Sequence, residues 1–103
     1  MNRSVLALLL RQSFPDSDVG ERRVVARQAG DLADDGRFRD DTGEALAPQR
    51  VVEGLSDAPD DRPLVERWNW WMGALDVAHG DYARFAIRQY REEQADDGPD
   101  GQT

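Results

Sequence analysis

His79 is the only histidine of this 103-residue chain, and Asp76 and Asp81 flank it in sequence. An imidazole between two carboxylates is where a general base or a metal ligand would be sought. Zinc or iron, however, needs further nitrogen or sulfur donors, and the chain holds no cysteine. Ser4, Ser13, Ser17 and Ser56 are the serines such a base could activate, but none sits in a nucleophile elbow or a comparable context. A histidine in the last turn of a helix, set against the free carbonyls there, is the simpler reading. Aspartates pair at Asp34-Asp35, Asp40-Asp41, Asp60-Asp61 and Asp96-Asp97, each near a glycine or proline. That placement suits solvated turns better than paired acid and base. The run from Asp96 to Gly101 loosely resembles a calcium loop but lacks its ligand spacing and terminal glutamate. No glycine-rich phosphate cradle is present either, so no catalytic residue, cofactor or metal site is expected, and the protein is read as non-enzymatic.

Aromatic chemistry is more distinctive. The chain's three tryptophans fall within Trp68-Asn69-Trp70-Trp71. At 100° per residue Trp68 and Trp71 share a helical stripe with Leu64, Met72, Leu75 and Ala78, which predicts the centre of a core. Trp70 and Val77 lie together on the opposite side, with the small residues Gly73 and Ala74 close by. Either that helix is sandwiched between two layers, or Trp70, Gly73, Ala74 and Val77 form a surface for a protein partner or for self-association. Aromatic residues are enriched at the anchors of such surfaces.

Arginines offer a competing reading. Arg22, Arg23 and Arg27 cluster on a predicted helix, and Arg37 and Arg39 flank Phe38 on a predicted hairpin, which together suggest a DNA-associated regulator with a wing. Molar salt weakens this alternative, because three phosphate contacts would lose roughly 500-fold in affinity between about 0.2 and 2 M salt. Arg27 with Asp31, and Arg88 with Glu92, have the spacing of ordinary helix-surface ion pairs.

The elements that must carry these residues follow from caps and periodicity. Ser4 is placed to cap a first helix reaching about Phe14, whose apolar residues wrap most of its circumference and require deep burial. Pro15 stops it, and the Asp16-Ser17-Asp18 cluster caps a second helix from Val19 to about Asp34, closed by Gly36. Arg37-Phe38-Arg39 and Glu44-Ala45-Leu46 read as the two arms of a hairpin. Pro48 opens a third helix, and Pro63 a fourth running from Leu64 to His79. Tyr82 to Tyr90 is ambiguous between helix and amphipathic strand, and its alternation of Phe85 and Ile87 with polar residues favours a strand paired with the hairpin. The expected fold is α+β, mainly α: about four helices with a two- or three-stranded antiparallel sheet. Residues 1–91 form the single compact domain and 92–103 a disordered acidic tail.

All thirteen cationic side chains are arginine, fifteen of the twenty-one acids are aspartate, and the net charge is -8. Short carboxylates without lysine suit a salty solvent, in which the repulsion among them is screened. The apolar run Val5 to Leu10 is cut by Arg11 and followed by no small-residue cleavage site, so neither a secretory signal nor a membrane span is expected and the location is read as cytoplasmic. This composition, with Arg37-Phe38-Arg39-Asp40-Asp41-Thr42-Gly43 and Trp68-Asn69-Trp70-Trp71-Met72-Gly73-Ala74-Leu75-Asp76, resembles small acidic proteins of halophilic archaea with no known activity. The resemblance covers the chain to about Tyr90. It implies a salt-adapted cytoplasm and assigns no site residue.

Overall fold

A computed structural model describes residues 1–88, and every regular element among them is helical. Helix α1 (Arg3–Ser13) starts where the Asn2 side chain accepts from the Val5 amide at 3.0 Å, so the cap lies two residues before the expected Ser4. Helix α2 (Val19–Asp35) opens on a reciprocal capping box between Asp18 and Glu21 and closes at Gly36, whose φ of 82° is the left-handed turn that favours glycine. Then come α3 (Arg37–Thr42), α4 (Pro48–Ser56) with Pro48 in its first turn, and α5 (Leu64–His79), followed by a single 3₁₀ turn at Ala83–Phe85.

The expected α+β class is therefore wrong for the described residues, which hold no sheet. Arg37-Phe38-Arg39 begins a short helix, not a hairpin arm. Three residues around one apolar side chain cannot separate a period of two from one of 3.6. The Thr42 hydroxyl donates back to the Phe38 carbonyl at 2.7 Å, and Gly43 ends the helix in the left-handed region instead of turning a hairpin. Glu44 to Leu46 runs without a strand partner, anchored by buried Leu46. The expected strand from Tyr82 fails as well. Tyr82 and Phe85 are buried from a 3₁₀ turn, and Ile87 from the irregular segment after it. Residues 89 and 90 of that expected strand, and the expected tail at 92–103, lie outside the described residues.

One core joins α1, α2, α4 and α5. Leu6 and Leu10 of α1, Val25, Ala29 and Leu32 of α2, Val51 and Leu55 of α4, and Leu64, Trp68, Trp71, Met72 and Leu75 of α5 belong to one buried cluster, with α1 and α5 each packed on both α2 and α4. Helix α1 is less buried than its composition requires, since Val5 and Leu8 remain on the surface. Ala78, assigned to the inner stripe of α5, is exposed, because that stripe leaves the core at Leu75. No helix among the described residues is long and apolar enough to cross a membrane.

Candidate functional site

The four residues at 68–71 divide into three that the fold uses and one that it leaves outside. Trp68 is fully buried, and its indole N–H donates to the Phe85 carbonyl at 2.8 Å. Asn69 closes a two-bond clamp on Ile87: its amide donates to the Ile87 carbonyl at 2.9 Å and its oxygen accepts from the Ile87 amide at 2.7 Å. A side-chain amide here supplies Ile87 with the pairing that a neighbouring strand would give, fixing the segment that leaves the 3₁₀ turn through the extended Ala86. Trp71 packs edge-on to Trp68 at 5.8 Å and to Phe38 at 6.0 Å, with the Arg50 guanidinium 5.5 Å over its ring. Its indole lies directly on Gly54 of α4, where any side-chain carbon would overlap it.

Trp70 points the other way and is 43% exposed, with Val77 one and a half to two turns on at 90%. Gly73 and Ala74 between them are exposed too, and a methyl added at Gly73 would meet no atom within 4 Å. The structure thus brings the four predicted residues to one outward face of α5. No second layer covers that face among the described residues, so the sandwiched arrangement does not occur there.

The arginines behave differently. Arg22 donates to the Ser17 carbonyl and hydroxyl, and Arg23 is also engaged. With Arg27 they edge an open groove of about 650 Å³ between α1 and α2, floored by Ala7, Val19 and Ala26. Arg27 makes no ion pair with Asp31, which is taken by Arg3 at 3.4 Å instead. Arg37 sits between Asp35 (3.6 Å) and Asp81 (3.0 Å), and Arg84 reaches Asp35 at 3.0 Å. Arg39 is exposed on α3. The hairpin wing that would have joined Arg37 and Arg39 to the α2 cluster is absent.

Among the described residues no group of three or more histidines, cysteines or acids is gathered as a metal site. His79 ends α5 with its ring 6.1 Å from that of Tyr82. Further polar contacts between residues distant in sequence, like those of Trp68 and Asn69, were missed by sequence reasoning. The Tyr82 phenol donates to Asp41 at 2.8 Å, and Glu21 reaches both its own N-cap amide at Asp18 and the Val65 amide in the first turn of α5, each at 3.4 Å. The Asp18-x-x-Glu21 spacing announced the first of the Glu21 contacts; nothing local announces the second or the Tyr82 bond.

No curated protein and no solved structure matches this chain. A family model described as the WNWW domain does match, over residues 1–76, which takes in α1 to α4 and α5 as far as Asp76. Its name spells residues 68–71 in one-letter code. By that match, which spans well over half of its length, the chain belongs to the WNWW domain family.

Proposed function

We propose that this protein is a non-enzymatic interaction module of a salt-adapted cytoplasm, and that it holds a protein partner on the outer face of α5. The observation that carries the reading is the solvent-facing Trp70 inside a segment whose other three residues are consumed by packing and hydrogen bonding. A large aromatic ring held on a rigid helix, flanked by exposed Val77 and the shallow Gly73-Ala74 surface, has the makeup of a binding anchor. The helix beneath is fixed by the core, so little ordering cost remains to be met on binding. Apolar contact also suits molar salt, where ionic steering is screened within about 3 Å. The DNA-reading alternative has less support: its wing does not form, and acids already hold Arg37.

Recovery of partners from cells lysed in molar salt tests the proposal when wild type is compared with Trp70→Arg. The variant is expected to keep its melting temperature and to lose a reproducible protein partner by about 30-fold in affinity, the equivalent of about 2 kcal/mol. Undiminished recovery by Trp70→Arg, or retention of a discrete DNA sequence abolished by reversing Arg22, Arg23 and Arg27 to Glu, would overturn it.

A further inference from the structure

We propose that Trp68 and Asn69 form a receptor for an extended peptide segment, filled in this structure by the chain's own Phe85-Ala86-Ile87, and that a segment of the same chemistry from another protein takes its place by exchange. This site does not depend on the Trp70 face.

The seated segment shows what the site recognises. Trp68 donates its indole N–H to the Phe85 carbonyl at 2.8 Å, while Asn69 donates to the Ile87 carbonyl at 2.9 Å and accepts from the Ile87 amide at 2.7 Å. All three bonds go to backbone atoms. They hold an extended chain whatever its sequence, as a sheet edge holds an added strand, and selectivity falls to the alternate side chains. Phe85 and Ile87 are 7% and 6% exposed, whereas Ala86 between them is only partly buried and Arg88 is exposed. The site therefore takes an aromatic residue and, two positions on, an aliphatic one.

The attachment of the segment favours exchange. Tyr82 is its anchor, fully buried, with its amide donating to Asp76 at 2.9 Å and its phenol to Asp41 at 2.8 Å. Beyond Tyr82 a single 3₁₀ turn, an element of poor hydrogen-bond geometry, leads to Phe85. The polar side chains there make exposed contacts, Arg84 to Asp35 at 3.0 Å and Arg88 to the Ala83 carbonyl at 3.4 Å, which add little in molar salt. An open groove of about 670 Å³ lies between Val24 and Gln28 of α2 and Ala86 to Arg88. It gives an incoming segment room beside the seated one.

The extent of the family match points the same way. It ends at residue 76, yet the polar atoms of the first two residues of the 68–71 motif are spent on positions 85 and 87. The matched region thus carries a site for a segment that lies outside it. Tethered at Tyr82, the chain's own segment competes at an effective concentration on the order of 1 mM. A free segment enters when it reaches that concentration, or when the tethered one is weakened.

The test is fluorescence anisotropy of a fluorescein-labelled peptide with the sequence of residues 83–88, titrated with the full chain in about 2 M KCl. Ile87→Asp weakens the tethered segment, because its charge cannot enter an apolar site. That variant is expected to bind the peptide at least about tenfold more tightly than wild type. Adding Asn69→Ala should cost at least about tenfold in affinity, and adding Trp70→Arg should change nothing. Equal affinity of folded Ile87→Asp and wild type overturns the inference, as does binding that survives Asn69→Ala. Should Ile87→Asp fail to fold, hydrogen exchange of wild type decides. The Ile87 amide should exchange at least about 100-fold faster than the amides of Trp71 and Met72, and at least about tenfold faster again with about 1 mM unlabelled peptide. An Ile87 amide that exchanges no faster than those of α5, or whose rate the peptide does not move, overturns the inference.

Discussion

Tyr82 shows what a single side chain contributes to this fold. It is fully buried, and its phenol donates to Asp41, forty-one residues away in sequence. Burial first, and then the hydrogen bond to the Asp41 carboxylate and its negative charge, push the phenol well above the ordinary tyrosine value. A raised value in the folded state favours the neutral form, so this stabilisation is fully present below the unfolded value near 10 and is lost as pH rises from there towards the folded value. The chain has no lysine or cysteine and only two tyrosines, so few side chains titrate in that window. Tyr82→Phe should cost about 1–3 kcal/mol at neutral pH yet show a shallower fall in melting temperature above about pH 10 than wild type. A parallel fall in both would disprove the assignment. At this scale the sequence was partly legible. Helical geometry separated Trp70 from Trp68 and Trp71, because angle around a helix is local information. The partners of Trp68, Asn69 and Tyr82 were not legible, because each depends on where a distant backbone or carboxylate comes to lie.

Elements were readable where a residue has a strong local reason to start or stop one. Asp18 and Gly36 bound α2, and Pro48 and Pro63 open α4 and α5, as expected. Helix α3 was missed because a six-residue segment with one buried side chain, Phe38, carries almost no periodic signal, and its helicity comes from packing against Trp71. Glu21 joins two elements, since one carboxylate serves the N-termini of both α2 and α5. Glu21→Ala should therefore cost about 2 kcal/mol, at the upper end for a single lost cap, as read by denaturant unfolding; a change below about 0.5 kcal/mol would show that the α5 contact contributes nothing. Two of the helical glycines, Gly54 and Gly73, give a contrast of sign. Gly54→Ala forces a methyl into the Trp71 indole and should destabilise by about 1–3 kcal/mol. Gly73→Ala adds a methyl in open space and should stabilise the monomer by up to about 1 kcal/mol. Destabilisation by Gly73→Ala in dilute monomer would mean that the face is packed within the chain.

At the scale of the whole molecule, a single helical core is wrapped in an acidic, lysine-free surface, and several arginines serve structure directly. Arg67 donates to the carbonyls of Leu55, Asp60 and Arg62, tying down the loop before α5, while Arg50 lies over Phe38 and Trp71. Arginine as the sole cation is thus partly a packing choice, a meaning that composition alone did not reveal. With a net charge of -8, the melting temperature should rise between low salt and about 2 M KCl; a flat or falling curve would contradict the proposed salt adaptation. Three residues of Trp68-Asn69-Trp70-Trp71 hold the fold together, and Trp70 stands outside the core. Denaturant unfolding of the four single alanine variants at a concentration where the chain is monomeric measures this directly. Losses of about 3–5 kcal/mol are expected for Trp68→Ala and Trp71→Ala, about 1–3 kcal/mol for Asn69→Ala, and less than about 1 kcal/mol for Trp70→Ala. A loss for Trp70→Ala equal to that for Trp71→Ala would contradict it.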